Sequence, residues 1–359
     1  MKKLSLIFAS LLLVIGLFTS CEKSDSTDEI VVEGNAIIVN YGGYSGAKGE
    51  FSLFNEIDGT ITNNYYNIKN NRDFTSNIQS LGKHNGKLYS MSNNADKIDI
   101  IDLYTFKQDA SIDADIVKPR YFAAKGNKAY VSCLGNVSEW AVVANSYIAV
   151  IDLTDNTVKK FPQAGGFEGM AIVGDKLYAA SYTKPEVAVF DLATEKFETP
   201  ITIESQARHF AVDGDNLWVS HVSSYSIPVS SEHVGITCIN TKTNTVEKTV
   251  NIPSLGGNGY IAINNDGSKV YALGNKYNAD YTTTSNVVVV DTKSASIENN
   301  SLVAGGSFYG IGYNQTTDKL YVLISPSTTV KGKVQVYNTD GTLLNEKEAG
   351  IAPQHVVFY

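Results

Sequence analysis

One pattern recurs seven times along the 359-residue chain, and this repetition constrains the fold more than any other feature. The segment "GDKLYAASYTKPEVAVFDLATEKF" (174–197) shows its parts: a Lys-Leu-Tyr strand, a polar connection, an alternating strand that ends in aspartate, and a turn. The first anchor of each copy is an aromatic or apolar strand residue. These anchors are Ile38, Tyr89, Tyr130, Tyr178, Trp218, Tyr271 and Tyr321, spaced 40 to 53 residues apart. The second anchors are Asn55, Asp102, Asp152, Asp191, Asn240, Asp291 and Asn338.

A period of this length, with two-residue alternation and turn residues between strands, is typical of a β-propeller blade. One copy supplies four strands, a to d: "RHFAVD" (208–213), "NLWVSH" (216–221), "VGITCIN" (234–240) and "TVEKTVNI" (245–252). The second anchors begin the c-to-d turns, where a short polar side chain can bond the amides of its own turn. Because a catalytic role for these residues would require seven active sites, we assign them a structural role. We predict an all-β, seven-bladed β-propeller over residues 34–359.

The two ends of the repeat array predict how the ring closes. The first copy starts at "NAIIVN" (35–40), which is already a b strand, and no a strand precedes it. The C-terminal "APQHVVFY" (352–359) has the pattern of the a strand "KPRYFAAK" (118–125). We therefore predict that the C-terminal strand pairs into the first blade and leaves no open edge in the ring.

The N-terminus carries an export signal. Residues 1–20, "MKKLSLIFASLLLVIGLFTS", have two lysines, an apolar run and small residues at the end. The following Cys21 resembles the lipidated cysteine of bacterial lipoproteins, although Phe18 departs from the commonest motif; a plain secretory signal or a membrane anchor is the alternative. Residues 21–33 are predicted to be the lipidated cysteine and a flexible acidic tether. The acidic residues after Cys21 resemble a surface-export signal, which implies an outer-membrane, lipid-anchored and surface-exposed protein; a soluble linker is the alternative.

Charge and cysteine content exclude several classes. The chain has 29 basic and 37 acidic residues, a formal charge of −8, so nucleic acid is not an expected partner. Apart from Cys21, the cysteines are Cys133 and Cys238, which lie on strands with apolar neighbours and are predicted to be small core residues. No metal-ligand spacing is present, and the glycine pairs do not sit between a strand and a helix. We expect no metal and no cofactor.

Length variation falls on one side of the predicted ring. The b-to-c connections and the d-to-a crossings share one face, here called the loop face; the a-to-b and c-to-d turns share the other, the turn face. The distance from first to second anchor ranges from 13 to 22 residues, because the b-to-c connections differ in length. Such variation marks a binding face. Its candidate exposed aromatics are Tyr41, Tyr44, Trp140, Tyr182, Tyr225, Tyr277 and Tyr281, some of which are expected to pack on their own loops.

The a strands begin at the same face, around the central mouth. The residues in register there are Gln79, Arg120, Glu168, Arg208, Gly259, Tyr309 and Gln354, with Tyr121, His209, Tyr260, Phe308 and His355 beside them. Polar groups that converge on a pocket fix the orientation of a ligand. The alternative is hydrogen bonding between blades, for example of Arg120 or Arg208 with Glu168. Both interpretations stay open on the sequence alone.

The blade pattern resembles the YVTN-type seven-bladed propellers over essentially the whole chain after the tether. The predicted lipid attachment at Cys21, the chain length and the character of the loops resemble those of the BtuG-type surface lipoproteins. This resemblance implies capture of cobalamin or another corrinoid and transfer to a TonB-dependent outer-membrane transporter. The alternatives are a siderophore- or glycan-binding surface propeller, or a non-catalytic adhesion protein. The five histidines show no catalytic arrangement in the sequence, so we predict that the protein is not an enzyme.

Overall fold

Seven antiparallel sheets follow one another along the chain, and each forms one blade. The structure is a computed structural model that describes residues 35–43, 48–224, 226–277 and 283–359. Each innermost a strand contacts the a strands of the two neighbouring blades, and the last blade contacts the first. The predicted all-β, seven-bladed propeller is therefore confirmed. Cys21 and the predicted signal peptide and tether lie outside the described residues.

The strand bounds follow the predicted order a to d within each blade. From blade 1 to blade 7, the a strands are Pro353–Phe358, Ile78–His84, Pro119–Lys125, Phe167–Val173, Gln206–Asp213, Ile261–Ile263 and Phe308–Asn314. The b strands are Asn35–Asn40, Lys87–Ser92, Lys128–Cys133, Lys176–Ser181, Asn216–Val222, Lys269–Tyr277 and Lys319–Ile324. The c strands are Glu50–Asn55, Lys97–Asp102, Tyr147–Asp152, Glu186–Asp191, Gly235–Asn240, Thr283–Asp291 and Lys331–Tyr337.

The outermost d strands are the most irregular. They are Ile61–Thr62, Gln108–Ile112, Val158–Pro162, Lys196–Phe197 with Ile201–Thr202, Thr245–Asn251, Ser296–Gly305 and Leu343–Ile351. In blade 4 the d strand is split at Pro200, which has no backbone N–H to offer to strand c. The edge position tolerates this interruption because strand d has only one hydrogen-bonded neighbour.

Short helical segments lie between strands. An α-helix, Tyr65–Asn70, fills the crossing from blade 1 to blade 2, and 3₁₀ turns occur at Asn93–Ala95 and Ser231–His233. The sequence pattern did not predict the helix. Its Tyr65 and Tyr66 rings are buried edge-on against Phe106 and Phe74, with ring centroids 4.9 and 5.0 Å apart. The helix therefore covers the outer end of the seam between these two blades. Among the described residues, no helix has the length and apolar character of a membrane span.

The core consists of seven apolar clusters, one between each pair of neighbouring blades. The first anchors of all seven repeats are at most 5% exposed and sit in these clusters. Successive side chains on strands b and c point to opposite faces of the sheet, and buried apolar residues occur at consecutive positions. Both faces of each sheet are therefore apolar, and both are covered by adjacent blades. Cys133 and Cys238 are buried and form no disulfide, so their predicted role as small core residues is confirmed.

The C-terminal strand closes the ring as predicted. Pro353–Phe358 pairs antiparallel with Asn35–Asn40, with Ala36 opposite Phe358 and Ile38 opposite Val356. Val356 is 7% exposed and packs in the cluster between blades 1 and 7. Blade 1 thus takes its inner strand from one end of the chain and its other strands from the opposite end, so unfolding either end opens the ring.

The second anchors act within their own turns. The Asp191 carboxylate accepts from the amides of Ala193 and Thr194 at 3.1 and 2.7 Å. Equivalent bonds form at Asn55, Asp102, Asp152, Asn240 and Asp291. Asn338 differs, because its side-chain oxygen accepts from Lys319 at 2.8 Å. The predicted structural role is confirmed for the first six turns.

Candidate functional site

In six of the blades the inner strand is locally distorted where it enters the central channel. In blades 1 to 5 and 7 the register between strands a and b shifts near the start of strand a. The residues at these irregular positions are Gln354, Gln79, Arg120, Glu168, Arg208 and Tyr309. A β-bulge re-aims a side chain that regular pleating would direct elsewhere. In each of these six blades the bulge therefore turns one polar or aromatic side chain towards a common centre.

These side chains line one central pocket of about 400 Å³ on the loop face. All seven blades contribute to it. Twelve of the residues named from sequence lie in its lining: Tyr41, Gln79, Arg120, Tyr121, Trp140, Glu168, Tyr182, Arg208, His209, Tyr260, Tyr309 and Gln354. Tyr41, Trp140 and Tyr182 come from b-to-c connections, which places those connections on the pocket side of the ring.

The remaining predicted residues do not join them in the described structure. Phe308 is only 2% exposed and packs in the cluster between blades 6 and 7, so we correct its assignment from ligand binding to core. Its carbon-only ring is more stable among the apolar side chains of that seam than in a polar pocket. Tyr44, Tyr225 and Tyr281, and the side chain of Tyr277, lie outside the described residues.

Sequence reasoning missed five lining residues: Asn93, Asn94, Lys118, Gly257 and Asn258. Asn93 and Asn94 lie in the short b-to-c connection of blade 2. Lys118, Gly257 and Asn258 lie in d-to-a crossings. The crossings belong to the same face as the long connections, and this shared position was the signal that could have identified them.

An ion pair forms one wall of the pocket. Arg120 donates from Nη2 to both Glu168 oxygens at 2.7 and 3.0 Å, and from Nε to Oε2 at 3.1 Å. Its Nη1 donates to the Gln79 side chain. Burial acts to lower the pKa of Arg120, but the Glu168 carboxylate outweighs burial and raises it. Of the two pairings left open by sequence, the structure thus contains that of Arg120 with Glu168, which joins blades 3 and 4. The bond from Arg120 to Gln79 adds blade 2 to this connection.

Arg208 has a different environment in the same ring of side chains. It is 6% exposed, its Nε donates to the Gly257 carbonyl at 3.2 Å, and its guanidinium carbon lies 4.3 Å from the centre of the Tyr182 ring. Gly259, with φ +65°, packs on the arginine stem, since a Cβ there would lie 2.7 Å from the Arg208 Cβ. The Nη1 atom of Arg208 is buried without a hydrogen-bond partner among the described residues. Burial lowers the pKa of Arg208.

Aromatic and imidazole rings line the pocket beside the arginines. His209 stacks on Tyr260 at 4.3 Å between centroids, and the Tyr121 and Tyr260 hydroxyls are 3.2 Å apart. Burial, with Arg208, His355 and Arg120 nearby, lowers the pKa of His209 well below its usual value. Burial also raises the pKa of Tyr121 and of Tyr260. These three rings are therefore neutral at pH 7, and the charge of the lining comes from other residues.

Serines on two b strands hold the bulges in place. Ser132 accepts from the Tyr121 amide at 3.0 Å and donates to the Glu168 carbonyl of the next blade at 3.2 Å. Ser220 accepts from the His209 amide at 3.0 Å and donates to the Gly259 carbonyl at 2.5 Å. Each serine thus satisfies an amide freed by the bulge and links it to the neighbouring blade.

A family model for a domain of unknown function, DUF5074, matches residues 34–351, which is most of the chain. The chain belongs to the DUF5074 family. A search of the curated proteins finds no significant match. The family assignment therefore brings no activity with it, and the site of this DUF5074 protein has to be interpreted from its own residues.

Solved structures with the same architecture include proteins of several kinds. A quinonprotein alcohol dehydrogenase-like protein from Bacteroides thetaiotaomicron matches with TM-score 0.65 and 16% identity, over 91% of this chain and 78% of that one. The periplasmic gluconolactonase of Pseudomonas aeruginosa matches with TM-score 0.64 and 15% identity, over 90% and 98%. Hydrazine synthase of Kuenenia stuttgartiensis matches with TM-score 0.61 and 15% identity, over 75% and 85%. At these identities the DUF5074 chain shares their fold alone.

The pocket of this DUF5074 propeller is suited to binding. Within the described part of the chain, no group of His, Cys, Asp or Glu side chains is placed to hold a metal ion. The pocket has a volume in the range of small-molecule sites. It is lined by hydrogen-bonding side chains and by Arg208, and the exposed indole of Trp140 lies at its mouth. This arrangement can orient a polar group deep in the pocket and contact an apolar part of the same molecule near the rim.

Proposed function

We propose that this protein is a non-catalytic binding protein that captures a small-molecule nutrient in the central pocket. One observation carries the proposal: side chains from all seven blades, six of them placed by bulges in the inner strands, meet at a single pocket of about 400 Å³. A closed ring holds these groups rigidly, so little conformational entropy is lost when a ligand binds. The loop face supplies the contact surface around the mouth.

The chemistry of the lining supports binding rather than catalysis. A general base must be able to accept a proton at neutral pH and reach a nucleophile. His209 stacks on Tyr260 and meets Tyr121 edge-to-face, and both oxygens of the Glu168 carboxylate accept hydrogen bonds from Arg120. Some structural neighbours are enzymes by name, but at 15% identity this likeness concerns the fold. Turnover of a sugar lactone by the purified protein would contradict the non-catalytic proposal.

We propose cobalamin, or another corrinoid, as the nutrient. A corrinoid has broad apolar faces and an amide-bearing rim, which suit Trp140 and Tyr182 together with the amides of Gln79, Asn94 and Asn258. The pocket accommodates part of such a molecule, and the rest would lie across the loop face. The predicted lipid attachment, the chain length and the loops resemble those of the BtuG-type proteins, and this resemblance gives the ligand priority for testing.

Isothermal titration with cyanocobalamin tests the proposal directly. We expect binding at micromolar protein, and a loss of at least about tenfold in affinity for Trp140→Ala, because aromatic contacts contribute on this scale. Tyr104→Ala is the matched control: Tyr104 is 56% exposed on the turn face, against 54% for Trp140. Absence of binding would remove the corrinoid, and equal affinity of both variants would remove the loop face from the site.

An anionic siderophore is the second candidate ligand. The pocket lining contains three cationic side chains, Lys118, Arg120 and Arg208, against the one carboxylate of Glu168. This charge favours an acidic ligand over a neutral glycan. Displacement of a bound siderophore by cyanocobalamin, or the reverse, would decide between them. An adhesion protein without a small ligand would bind neither.

We further propose that Cys21 is lipidated, that the protein is anchored in the outer membrane facing outwards, and that it delivers its ligand to a TonB-dependent transporter. The proposal is supported by the leader, the cysteine and the acidic segment behind it. Cys21→Ala should move the protein from the membrane fraction to the soluble fraction. Protease treatment of intact cells should remove the wild-type propeller, and affinity purification from solubilised membranes should retrieve the transporter.

A further inference from the structure

The two arginines of the central pocket differ in a way that a purely structural role does not explain. Arg120 has a hydrogen-bond acceptor for Nε, Nη1 and Nη2 within the protein. Arg208 has one carbonyl acceptor for Nε, one aromatic ring against its face, and a buried Nη1 with no partner among the described residues. A buried charged donor without an acceptor destabilises the folded state by an amount that pairing would recover.

Among the described residues, Arg208 forms no hydrogen bond with Glu168, the one carboxylate of the pocket lining. Both Glu168 oxygens accept bonds from Arg120. The lining therefore holds an uncompensated positive charge although the chain as a whole has a formal charge of −8. The arginine stem is fixed by Gly259, and the guanidinium plane by Tyr182 and Gly257. This fixes the orientation of the guanidinium before any ligand arrives.

We propose that Arg208 is the anion subsite of the pocket, and that the captured nutrient carries a carboxylate or phosphate group that pairs with it. The inference rests on the proposed capture function and specifies the chemistry of its ligand. A guanidinium held in one orientation matches the paired oxygens of a carboxylate or phosphate. The oxyanion accepts from the buried Nη1, while Trp140 and Tyr182 contact the attached apolar group.

Matched small probes test the charge requirement. Benzoate and benzamide have the same shape and differ in charge, and phenyl phosphate offers the other oxyanion. Ligand-observed NMR titration of the purified protein should show benzoate or phenyl phosphate binding at least about tenfold more tightly than benzamide. The tighter of the two acids identifies the oxyanion. Equal binding of benzamide, or no binding of either acid, would overturn the proposal.

Two variants assign the effect to Arg208. Arg208→Gln should reduce affinity for the acid probe at least about tenfold, whereas Arg72→Gln should leave it unchanged, since Arg72 is bonded to Gln108 on the outside of blade 2. Unchanged affinity of Arg208→Gln would contradict the assignment. Parallel titration with cyanocobalamin separates the two proposals. If the wild type and Arg208→Gln bind cyanocobalamin equally, the capture function is supported and the anion subsite is contradicted. If neither protein binds cyanocobalamin but binding of the acid probe requires Arg208, the anion subsite is supported and the corrinoid is excluded as the ligand.

Thermal unfolding without ligand gives a second readout. Arg208→Met keeps an apolar stem and removes the unsatisfied charge, so its Tm should equal or exceed that of the wild type. Arg120→Met should lower the Tm, because it leaves Glu168 without its partner. Excess acid probe should raise the Tm of the wild type but not of Arg208→Met. A fall in Tm for Arg208→Met as large as that for Arg120→Met would show that Arg208 is structural and would overturn the proposal.

Discussion

On the turn face, Asp191 accepts three hydrogen bonds from its own turn, whereas on the loop face Arg208 keeps a buried nitrogen without a partner. Both are charged side chains at positions that recur along the chain, Asp191 at the start of a c-to-d turn and Arg208 near the start of an a strand. The carboxylate of the turn residue accepts its hydrogen bonds within its own turn, and an Asp or Asn recurs at this position in every copy. The pocket residue varies from blade to blade, and in blade 5 its hydrogen-bonding groups are satisfied only in part. A repeated residue that is hydrogen-bonded within its own turn thus has a structural role, whereas a variable residue with an unpaired buried donor indicates a place for a ligand.

Deletion of Pro353–Tyr359 should have the largest effect, because it opens the ring and disrupts both faces at once. We expect loss of the cooperative unfolding transition or a fall in Tm of more than about 10 °C, since strand a of blade 1 and its core contacts disappear. Differential scanning calorimetry measures this. The point variant Val356→Asp should act in the same direction, while Leu343→Asp, 48% exposed on an outer strand, should not. A truncated protein that melts like the full chain would contradict ring closure.

Glu168→Gln should destabilise the loop face next most strongly. It leaves the Arg120 guanidinium facing a neutral amide, at a cost of about 2 kcal/mol, less than for a fully buried pair because the two side chains are 19% and 10% exposed. Urea unfolding gives the free energy. In the double variant with Arg120→Gln the two losses should not add, since the same contact is removed twice. Additive losses would show that the pair is not coupled.

Asp191→Ala should weaken the turn face by less than Glu168→Gln weakens the loop face, because only the exposed amides of Ala193 and Thr194 lose their acceptor. The same urea experiment measures it. Asp175→Ala is the control, since that side chain is 83% exposed and its ion pair with Lys125 contributes little. Ligand affinity should stay unchanged in both variants. A loss of binding in Asp191→Ala would mean that the two faces are not independent.

Acid should act on the turn face through the same aspartates, with the smallest effect. Burial acts to raise the pKa of Asp102, but bonds from Lys87 and Thr105 outweigh it and lower the pKa from 3.8 to about 2. A folded-state pKa below the unfolded value adds stability that is present above pH 4 and is lost as the pH falls towards about 2. The pKa values of Asp191 and Asp291 are lowered too, chiefly by amides of their turns. Asp102→Asn should flatten the decline in Tm over this range; an unchanged slope would contradict it.

The fold could be predicted from sequence because blades obey one repeated rule. Each first anchor had to be buried between two sheets, and the missing a strand at one end matched the extra strand at the other. The ring of side chains around the mouth followed from the same alignment, since Gln79, Arg120, Glu168 and Arg208 occupy equivalent positions. The bulge that turns them inwards has no such signature, because it depends on backbone geometry.

The remaining features depend on contacts that the repeat does not encode. Arg120 and Arg208 flank Glu168 on blades 3 and 5, so sequence could not decide which of them pairs with it. The structure decides it through Gly257 and Tyr182, which hold Arg208 away. Lys118 and Asn258 lie in crossings that differ from copy to copy. The helix Tyr65–Asn70 forms in such a crossing and is stabilised by burial of its tyrosines, a tertiary effect.

Hydrogen–deuterium exchange with and without cyanocobalamin tests the central contrast between the faces most directly. We predict that the ligand slows exchange in the loop-face segments 134–146 and 255–260 and leaves the turns at 102–107 and 191–196 unchanged. Protection of the turn segments, or no protection of the loop-face segments with the ligand bound, would contradict the assignment of the pocket as the capture site.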